Sequence, residues 1–475
     1  MKKLVLIISF LFIALTQNAQ IELWGMTAKG GVSNNGVLFQ FDISNSICNK
    51  KLDFSGVTNG SLPNGSLIKA SDGKLYGMTA TGGQNGFGTI FQYDLNTDSC
   101  KKKFDFDGVA HGSSPNGSLM QATDGFLYGL TILGGINNKG VIFKFDINTF
   151  ICTKVFDFNG ANGLNPNGNL IQFSDGLLYG LTVGGGGGIG GSNNNGELFQ
   201  FNPVTNILVK KVILTGGLSG YNPFGSLVQA IDGKLYGMIL LGGTGNGLIF
   251  QYDPSLNTYT VKVNLGIPSN PGAQPWGSLI SASDGKLYGM TEIGGMYNSG
   301  VLFQYDPVSN IYLKIIDFDG INTGGNPKGT LMQSSNGKIY GLTTKGGANN
   351  FGVLFEYDPI TLNLSKKLDF DSINGSLPAY TSLIEVPSIP TRIHDFDKGS
   401  NLSLYPNPNN GSFTIDLKTK SQIIITNTLG ETIFNQLLET GKQNLSIQSQ
   451  ADGIYFVKVT DDKGLSSTKK VLVQK

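Results

Sequence analysis

Residues 75–79 read Leu-Tyr-Gly-Met-Thr, and close copies of this stretch recur along most of the chain. The aromatic residues of successive copies are 52, 52, 51, 57, 52 and 52 residues apart, at Trp24, Tyr76, Tyr128, Tyr179, Tyr236, Tyr288 and Tyr340. A period of roughly 50 residues is typical of an array of one supersecondary unit. The sequence therefore predicts a repeat protein with seven copies.

Three further segments recur with the same period and complete the repeat. They are typified by residues 88–94 (Gly-Thr-Ile-Phe-Gln-Tyr-Asp), 102–106 (Lys-Lys-Phe-Asp-Phe) and 115–119 (Pro-Asn-Gly-Ser-Leu). Each is a short apolar run bounded by Gly, Asn, Asp or Pro, which is typical of a β-strand. We name the strands of one repeat A (Ser-Leu-Ile), B (Leu-Tyr-Gly), C (Gly-x-x-Phe) and D (Lys-x-x-Asp-Phe). Four short strands per repeat and no helical periodicity predict an all-β fold, a seven-bladed β-propeller with one four-stranded antiparallel sheet per blade.

The two ends of the repeated region are complementary. The first repeat starts at Ile21 and lacks strand A, whereas residues 381–386 supply a surplus strand A after the seventh repeat. Pairing the two would close the ring and leave no open edge. An open solenoid, the alternative, needs polar capping repeats at both ends, which the sequence lacks. The pattern therefore favours a closed propeller over residues 20–386.

An Asp-Gly or Asn-Gly pair separates strands A and B in six repeats, as at Asp72-Gly73. Such pairs predict two-residue type I′ hairpins, because both residues of that turn have positive φ. A calcium array is the alternative use of repeated aspartates, but turn chemistry explains the same residues without a metal.

These elements together, with a glycine doublet such as Gly82-Gly83 before strand C, resemble the bacterial tandem repeats called GloVer. They are also distantly similar to kelch repeats. The resemblance covers residues 21–386. It implies a β-propeller of unassigned activity and carries over no catalytic residue.

The N-terminus has the order of a secretory signal peptide. Lys2 and Lys3 precede an apolar run from Leu4 to Leu15, and Ala19 is a small residue before a plausible cleavage site. A membrane anchor, the alternative, needs about 20 apolar residues. We therefore predict a signal peptide at residues 1–19 and no transmembrane segment in the mature protein.

The repeat period stops after Val386, and a second unit follows. Residues 387–401 predict a polar linker, and seven short strand-like runs within 402–475 predict a small Ig-like β-sandwich.

Several residues of this second unit form an ordered set of motifs: Tyr405, Pro406, Asn407, Pro408, Gly411, Gly430, Gly453, Tyr455, Lys470 and Lys475. With them the unit closely resembles the type A sorting domain of the type IX secretion system. The resemblance implies a source in the Bacteroidota, the type IX secretion machinery as a partner, and a secreted or outer-membrane-surface (extracellular) location. An ordinary Ig-like binding module is the alternative.

Composition and motifs narrow the functional classes. A net charge of +1 gives no field for nucleic acid, so we predict no nucleic-acid partner. The only histidines are His111 and His394, and no nucleophile-elbow, P-loop, zinc-protease or Cys-x-x-Cys motif occurs. Cys48, Cys100 and Cys152 occupy one repeat position, so we predict that they are packed and not bridged. We predict no catalytic residue, no metal and no cofactor.

Departures from the repeat give the candidate ligand-binding residues. Antiparallel order places the B–C and D–A loops on one face, and function concentrates on such loops. The departures on that face are Trp276, Tyr221, Phe224, Tyr297 and His111, together with the glycine-rich insertion 184–195. Exposed aromatic rings stack on sugars and anchor protein interfaces. The alternative is that each fills a local gap at the rim of the core.

Two functions are compatible with these patterns. The favoured one is a non-enzymatic secreted or cell-surface β-propeller for adhesion or for glycan or protein binding. The alternative is a polysaccharide-degrading lyase or glycoside hydrolase that uses acidic residues of the loop face. The candidate acids are Asp53, Asp105, Asp107, Asp157, Asp317, Asp319 and Asp369. Because a catalytic acid should depart from the repeat and these aspartates follow it, they are predicted to be structural.

Overall fold

The computed structural model describes residues 21–185, 194–387, 403–428, 430–462 and 466–475. They form two compact units, which we call the repeat unit (residues 21–387) and the C-terminal unit (residues 403–475). The predicted signal peptide, and the predicted linker apart from Pro387, lie outside the described residues. Within the described ranges, no helix is long and apolar enough to cross a membrane.

The described strands of the repeat unit belong to seven sheets, numbered here in chain order. The first strands are β1 (Ile21–Thr27), β2 (Val37–Asp42) and β3 (Ile47–Asp53) of sheet 1; β4 (Ile68–Lys69), β5 (Leu75–Thr79), β6 (Thr89–Asp94) and β7 (Ser99–Asp105) of sheet 2; β8 (Met120–Gln121), β9 (Leu127–Thr131), β10 (Val141–Phe145) and β11 (Cys152–Asp157) of sheet 3; and β12 (Leu164–Gln172), β13 (Leu178–Gly184), β14 (Glu197–Asn202) and β15 (Ile207–Ile213) of sheet 4. They continue as β16 (Val228–Gln229), β17 (Leu235–Ile239), β18 (Leu248–Asp253) and β19 (Thr258–Asn264) of sheet 5; β20 (Ile280–Ser281), β21 (Leu287–Thr291), β22 (Val301–Asp306) and β23 (Ile311–Asp317) of sheet 6; β24 (Met332–Gln333), β25 (Ile339–Thr343), β26 (Val353–Asp358) and β27 (Asn363–Asp369) of sheet 7; and β28 (Ile384–Pro387). A short 3-10 helix lies at Gly217–Ser219.

Each of these sheets has four antiparallel strands, so the prediction of an all-β fold with repeated four-stranded sheets is confirmed. Sheet 1 takes its strand A from the far end of the repeat unit, because β28 pairs with β1. In that pairing Leu23 lies opposite Glu385 and Trp24 opposite Ile384. The predicted pairing of the two ends of the repeated region is therefore present.

The core of the repeat unit is divided among seven hydrophobic clusters, one between each pair of successive sheets. Between sheets 2 and 3, for example, Tyr76 shares a cluster with Phe143. The last cluster joins Tyr340 of sheet 7 to Phe39 of sheet 1. The apolar burial that stabilises one sheet against its neighbour thus continues around the whole unit.

The Leu-Tyr-Gly motif of strand B has two structural roles. A Cβ added to Gly77 would lie 2.5 Å from the Phe91 ring of the paired strand, so the glycine leaves space for that ring. Tyr76 is fully buried, and its hydroxyl donates a hydrogen bond to Asp72 at 2.8 Å. The same bond between tyrosine and turn aspartate is made by Tyr128, Tyr179, Tyr236 and Tyr288.

The turn between strands A and B differs from the predicted type I′ hairpin. At Asp72-Gly73 only the glycine has a positive φ, of 78°. The Gly73 N–H donates to the Ala70 carbonyl and the Ala70 N–H to the Lys74 carbonyl, both at 2.9 Å. This geometry is a three-residue loop with a left-handed glycine. The type I′ prediction is wrong because the carboxylate of Asp72 is positioned to accept both the Lys74 N–H and the Tyr76 hydroxyl.

One tyrosine of strand C gives a matched pair for a stability measurement. The buried Tyr357 hydroxyl has no hydrogen-bond partner among the described residues, whereas the equivalent Tyr305 donates to Asn310 at 2.6 Å. The partner position in sheet 7 is Leu362. An unsatisfied buried hydroxyl costs about 1–3 kcal/mol, so we expect Tyr357→Phe to raise the free energy of unfolding by about 1 kcal/mol and Tyr305→Phe to lower it similarly. Urea denaturation would measure both, and a loss of stability in both variants would contradict the expectation.

The described residues of the C-terminal unit form two sheets. Its strands are β29 (Ser403–Tyr405), β30 (Ser412–Leu417), β31 (Ser421–Asn427), β32 (Thr432–Leu438), β33 (Gly441–Ser446), β34 (Gly453–Thr460) and β35 (Ser466–Val473). One sheet has the order β29-β30-β33 and the other β32-β31-β34-β35. Phe413 of the first sheet and Ile425 and Val457 of the second belong to one hydrophobic cluster, so the two sheets share a core.

Candidate functional site

The strand A segments of the repeat unit are linked by a circuit of hydrogen bonds. The Ser66 N–H donates to Ser118 Oγ in the next sheet at 2.6 Å. Equivalent contacts lead onward, and the Ser382 N–H finally donates to Ser66 Oγ at 2.7 Å. The intermediate positions are Asn169, Ser226, Ser278, Thr330 and Thr381. Six of the seven links thus end on the side-chain oxygen at the Ser position, which is Asn169 in sheet 4 and Thr330 in sheet 7, and the link from sheet 7 to sheet 1 ends on the Thr381 backbone carbonyl.

A glycine precedes six residues of this circuit, from Ser66 to Thr330, and allows neighbouring backbones to approach closely, whereas Tyr380 precedes Thr381. A Cβ on Gly277 would lie 2.0 Å from the carbonyl oxygen of Gly329, and a Cβ on Gly117 would lie 1.8 Å from that of Gly168. The segments surround a cavity of about 420 Å³, and residues from every one of the seven sheets line it.

The residue before that glycine, or before Thr381 in sheet 1, varies from sheet to sheet. We call this set the cavity ring: Asn64, Asn116, Asn167, Phe224, Trp276, Lys328 and Tyr380. All of its members except Asn64 line the cavity. Because sheets 2 to 4 contribute the asparagines and the remaining sheets contribute the other residues, the ring has a polar half and an aromatic half.

The polar half is a chain of side-chain amides. Asn64 Nδ2 donates to Asn116 Oδ1 at 2.6 Å, and Asn116 Nδ2 donates to Asn167 Oδ1 at 3.4 Å. Each amide has two donor hydrogens and one acceptor oxygen. The row therefore retains hydrogen-bonding capacity beyond its internal bonds.

The aromatic half is packed around Trp276. Its ring centroid lies 4.6 Å from that of Phe224 and 5.8 Å from that of Tyr380. Lys328 Nζ lies 4.7 Å from the Trp276 centroid, within the range of a cation–π contact. Tyr380 has a φ of 59°, a left-handed conformation that bulky residues rarely adopt.

Glu292 holds the two central side chains of the aromatic half. Its Oε1 pairs with Lys328 Nζ at 3.0 Å, and its Oε2 accepts the Trp276 Nε1–H. Glu292 directly follows strand β21, where the other sheets have the uncharged residues Ala28, Ala80, Ile132, Val183, Leu240 and Thr344. The charged pair is thus specific to this part of the cavity wall.

Of the five predicted ligand residues, the structure brings Phe224 and Trp276 together. His111 closes the D–A loop: its N–H and ring Nδ1 contact the two oxygens of Asp107, both at 2.8 Å. Tyr221 pairs through its backbone with Leu241, and Tyr297 is 57% exposed in the loop after β21. None of these three residues lines the cavity. Most of the predicted insertion at 184–195 lies outside the described residues.

Sequence reasoning missed Tyr380, Lys328 and Glu292. Tyr380 lies in a segment with one residue more than its counterparts between the proline and the serine, Pro378–Ser382, which obscures the alignment. Counting back from the recurring Ser-Leu pair identifies it, and the same count identifies Lys328 as the charged departure. Nothing in the sequence signals that Glu292 meets Lys328, because they belong to different repeats.

The repeated aspartates of strand D form hydrogen bonds and ion pairs within their own sheets. Asp105 Oδ1 accepts the Gln84 N–H at 2.8 Å, and Asp105 also pairs with Lys102 at 2.7 Å. The same two contacts, with a B–C loop N–H and with the lysine three residues earlier, are made by Asp53, Asp157, Asp317 and Asp369. The carboxylate of Asp319 accepts N–H groups of its own loop, including that of Thr323 at 2.9 Å. These contacts explain why the aspartates follow the repeat.

The cysteines are free thiols, and burial raises the pKa of Cys48 and Cys100 to about 12. Low-pKa, accessible thiolates are the reactive ones. No group of three or more His, Cys, Asp or Glu side chains that could hold a metal ion occurs in the part of the chain that the structure describes.

In the C-terminal unit, several of the predicted sorting residues hold the last strand. Asn407 Nδ2 donates to the Lys470 carbonyl at 2.9 Å, and the Leu472 N–H donates to Asn407 Oδ1 at 2.8 Å. Lys475 Nζ donates to the carbonyls of Gln448 and Gln450 at 2.6 and 2.8 Å. Asn407, which lies between Pro406 and Pro408, therefore links its own segment to strand β35 by two hydrogen bonds.

The other sorting residues fall into two groups. Tyr455 is buried, with its hydroxyl donating to the Ala451 carbonyl at 2.8 Å, whereas Tyr405 is 44% exposed. The glycines lie where strands begin or turn: Gly411 before β30, Gly430 between β31 and β32, and Gly453 at the start of β34. Tyr405 is thus the aromatic residue of the motif that is available at the surface.

Two solved structures are similar to the chain in fold. One is a candidate 6-phosphogluconolactonase from Bacteroides fragilis NCTC 9343, with 16% identity and a TM-score of 0.52; the match covers 78% of this chain and 99% of that one. The other, a candidate 6-phosphogluconolactonase from Bacteroides uniformis ATCC 8492, has 14% identity and a TM-score of 0.50, with 74% and 95% covered. At these identities the likeness shows a β-propeller-like fold alone. No protein with a curated description matches the sequence.

Two families match parts of the sequence. Residues 403–474 match the secretion system C-terminal sorting domain, which indicates export to the cell surface or the extracellular space. Residues 13–190 and 188–388 match the Gloeobacter/Verrucomicrobia repeat, so this match spans most of the chain. Both resemblances predicted from the motifs are confirmed. The chain belongs to the Gloeobacter/Verrucomicrobia repeat family and carries a C-terminal sorting domain.

Proposed function

We propose that this chain is an exported, non-enzymatic glycan-binding protein. In this proposal the repeat unit is a seven-bladed β-propeller and binds a saccharide at the cavity ring, while the C-terminal unit is an Ig-like sandwich that serves as the sorting signal for the type IX secretion machinery. The seven four-stranded sheets, with β28 paired to β1, support the first part. The observation that carries the binding function is the division of the cavity ring into aromatic and amide halves.

This division suits the chemistry of a sugar. A pyranose has apolar C–H faces that pack on aromatic rings and hydroxyl groups that exchange hydrogen bonds with amides. Phe224, Trp276 and Tyr380 supply the rings, and Asn116 and Asn167 supply the amides on the same cavity wall. A volume of about 420 Å³ lies within the usual range of small-ligand pockets. A site of this size would hold one or two sugar residues.

The positions of the carboxylate side chains relative to the cavity favour a binding role over hydrolysis. Glycoside hydrolases place two carboxyl groups on either side of the scissile bond. Among the described residues, the cavity lining contains no aspartate or glutamate. Glu292, which does not line the cavity, is paired with Lys328 and Trp276. This arrangement supports a binding role and gives no acid and base pair.

The experiment is a glycan-array screen of the full chain, followed by calorimetry on each hit and an assay for cleavage products. We expect Trp276→Ala to weaken binding about tenfold or more, because it removes the central ring of the aromatic half. Tyr297→Ala is the matched control, since it removes an exposed aromatic residue outside the cavity, and we expect unchanged affinity.

Two outcomes would contradict the proposal. New reducing ends or unsaturated products would identify an enzyme. Glycan binding that survives Trp276→Ala but is lost in Tyr297→Ala would place the site on the loop surface instead of the cavity. Thermal melting of each variant would show that the fold is retained.

A further inference from the structure

The cavity ring contains one feature that neutral sugar recognition does not require. Lys328 is the only charged residue among the described residues that line the cavity. The equivalent positions in the other sheets are asparagines or aromatic residues, so the fold itself does not need a cation there. The lysine therefore calls for an explanation in terms of the ligand.

We infer that the ligand is an anionic saccharide, and that Lys328 recognises the carboxylate of a uronate residue. The inference rests on the proposed function, because it assigns the substrate class of the same site. It also assigns two roles: Lys328 determines specificity by contact with the ligand, and Glu292 is a positioning residue that acts through Lys328 and Trp276.

The hydrogen-bonding capacity of Lys328 supports this assignment. An ammonium group has three donors. One is directed to Glu292 Oε1 at 3.0 Å, and the ammonium also lies over the Trp276 ring. The remaining donors are available on the cavity side, since Lys328 lines the cavity and Glu292 does not. A ligand carboxylate at this point would form a charge-assisted hydrogen bond, which is stronger than a neutral one.

The ion pair with Glu292 fixes the position of the Lys328 ammonium group at the cavity. Glu292 uses its second oxygen to accept the Trp276 N–H, and its side chain is 17% exposed against 23% for Lys328. Glu292 thus contacts both Lys328 and Trp276 and holds them in position without lining the cavity itself. A uronate whose sugar face packs on Trp276 or Tyr380 would have its carboxylate near Lys328 and its hydroxyls toward the asparagines.

The test uses pairs of oligosaccharides that differ only in charge: oligogalacturonate, oligoglucuronate, oligomannuronate and oligoguluronate, each with its carboxyl-reduced neutral counterpart. Calorimetry would be done with the full chain and with Lys328→Gln, Glu292→Leu and the control Lys345→Gln. Lys345 follows strand β25 and does not line the cavity. Melting temperatures would confirm that each variant folds.

We expect the unmodified chain to bind at least one acidic oligosaccharide about tenfold or more tightly than its neutral counterpart. Lys328→Gln should remove this preference, and the salt dependence with it, while neutral binding persists. Glu292→Leu should reduce neutral binding, because the Trp276 Nε1–H loses its hydrogen-bond acceptor. Lys345→Gln should change neither.

Three results would overturn the inference. One is that the acidic and neutral oligosaccharides bind with equal affinity and that Trp276→Ala abolishes the binding of both. That result would leave the glycan-binding proposal standing. Another is an acidic preference that persists in Lys328→Gln. Absence of binding to every acidic and neutral oligosaccharide of the panel would reject the uronate assignment, and the wider array screen would then decide whether the glycan-binding proposal also fails.

Discussion

Glu197→Val is expected to stabilise the repeat unit by about 3 kcal/mol at about pH 8. Glu197 is fully buried in β14, and neither carboxylate oxygen has a hydrogen-bond partner among the described residues. Burial raises its pKa from 4.5 to about 7, while the charge of Lys210 lowers it somewhat. The ionised carboxylate therefore opposes folding at alkaline pH.

In sheet 4 the acidic and the apolar residue of a recurring cross-strand pair have changed places. Most sheets pair an apolar residue of strand C with an aspartate at the end of strand D, as in Val141 with Asp157 and Val301 with Asp317. In sheet 4 the pair is Glu197 with Ile213, so the carboxylate is on strand C. Valine is the residue that sheets 1, 3, 6 and 7 have at this position. The substitution thus restores the pattern of the neighbouring sheets.

The pH dependence follows from the direction of the shift. The folded state binds the Glu197 proton more tightly than the unfolded state, so this residue's contribution to stability is fully present below pH 4.5 and is lost as the pH rises through about 7. The stability difference between Glu197→Val and the unmodified chain should therefore be smallest near pH 4.5 and grow toward pH 8.

Urea denaturation followed by tryptophan fluorescence would measure this difference. Both tryptophans, Trp24 and Trp276, lie in the repeat unit, so the signal reports that unit alone. Thr89→Val is the matched control, because Thr89 is the equivalent buried residue of sheet 2 and does not titrate. A stability difference for Glu197→Val that does not change with pH would show that the carboxylate is not the cause.

The repeat made most of the fold predictable. Periodic strands of alternating apolar residues fix which segments pair, and the missing strand A before Ile21 predicts the pairing of β28 with β1. The details of the turns were less accessible. Asp-Gly occurs in both two- and three-residue loops, and the choice depends on where the Asp72 carboxylate reaches in the folded sheet.

The candidate site was predictable in part, for a related reason. Phe224 and Trp276 depart from the repeat and can be identified in a self-alignment. A departure from the repeat does not by itself show where the side chain lies in the structure. His111 and Tyr297 also depart from the repeat, yet His111 closes its own loop and Tyr297 is exposed. The contact of Glu292 with Lys328 forms only when neighbouring sheets pack. Such contacts between sheets have no signature within a single repeat.

Gly277→Ala is expected to lower the free energy of unfolding by about 2–3 kcal/mol. A Cβ at this position would lie 2.0 Å from the Gly329 carbonyl oxygen. Replacing glycine by alanine stabilises a compatible site by about 0.4–1 kcal/mol through the unfolded state. The clash dominates here because the obstacle is backbone, which cannot rotate away as a side chain can. Relief requires the strand A segments of sheets 6 and 7 to separate, which strains the hydrogen bond from Ser278 to Thr330.

Gly325→Ala separates this effect from the general cost of adding a methyl group. Gly325 also lacks a positive φ, but its Cβ would lie 3.2 Å from Ser299 Cβ and 3.3 Å from Gly320 Cα, contacts that a shift of a few tenths of an ångström relieves. We expect its stability to change by less than about 0.5 kcal/mol in the same denaturation experiment, followed by circular dichroism because Trp276 adjoins the substituted glycine. If both variants are equally stable, the inner segments can spread without cost, and close backbone contact around the cavity is not what holds the seven sheets together. If only Gly277→Ala is destabilised, the glycines of strand A are required for the close approach that also brings the cavity ring together.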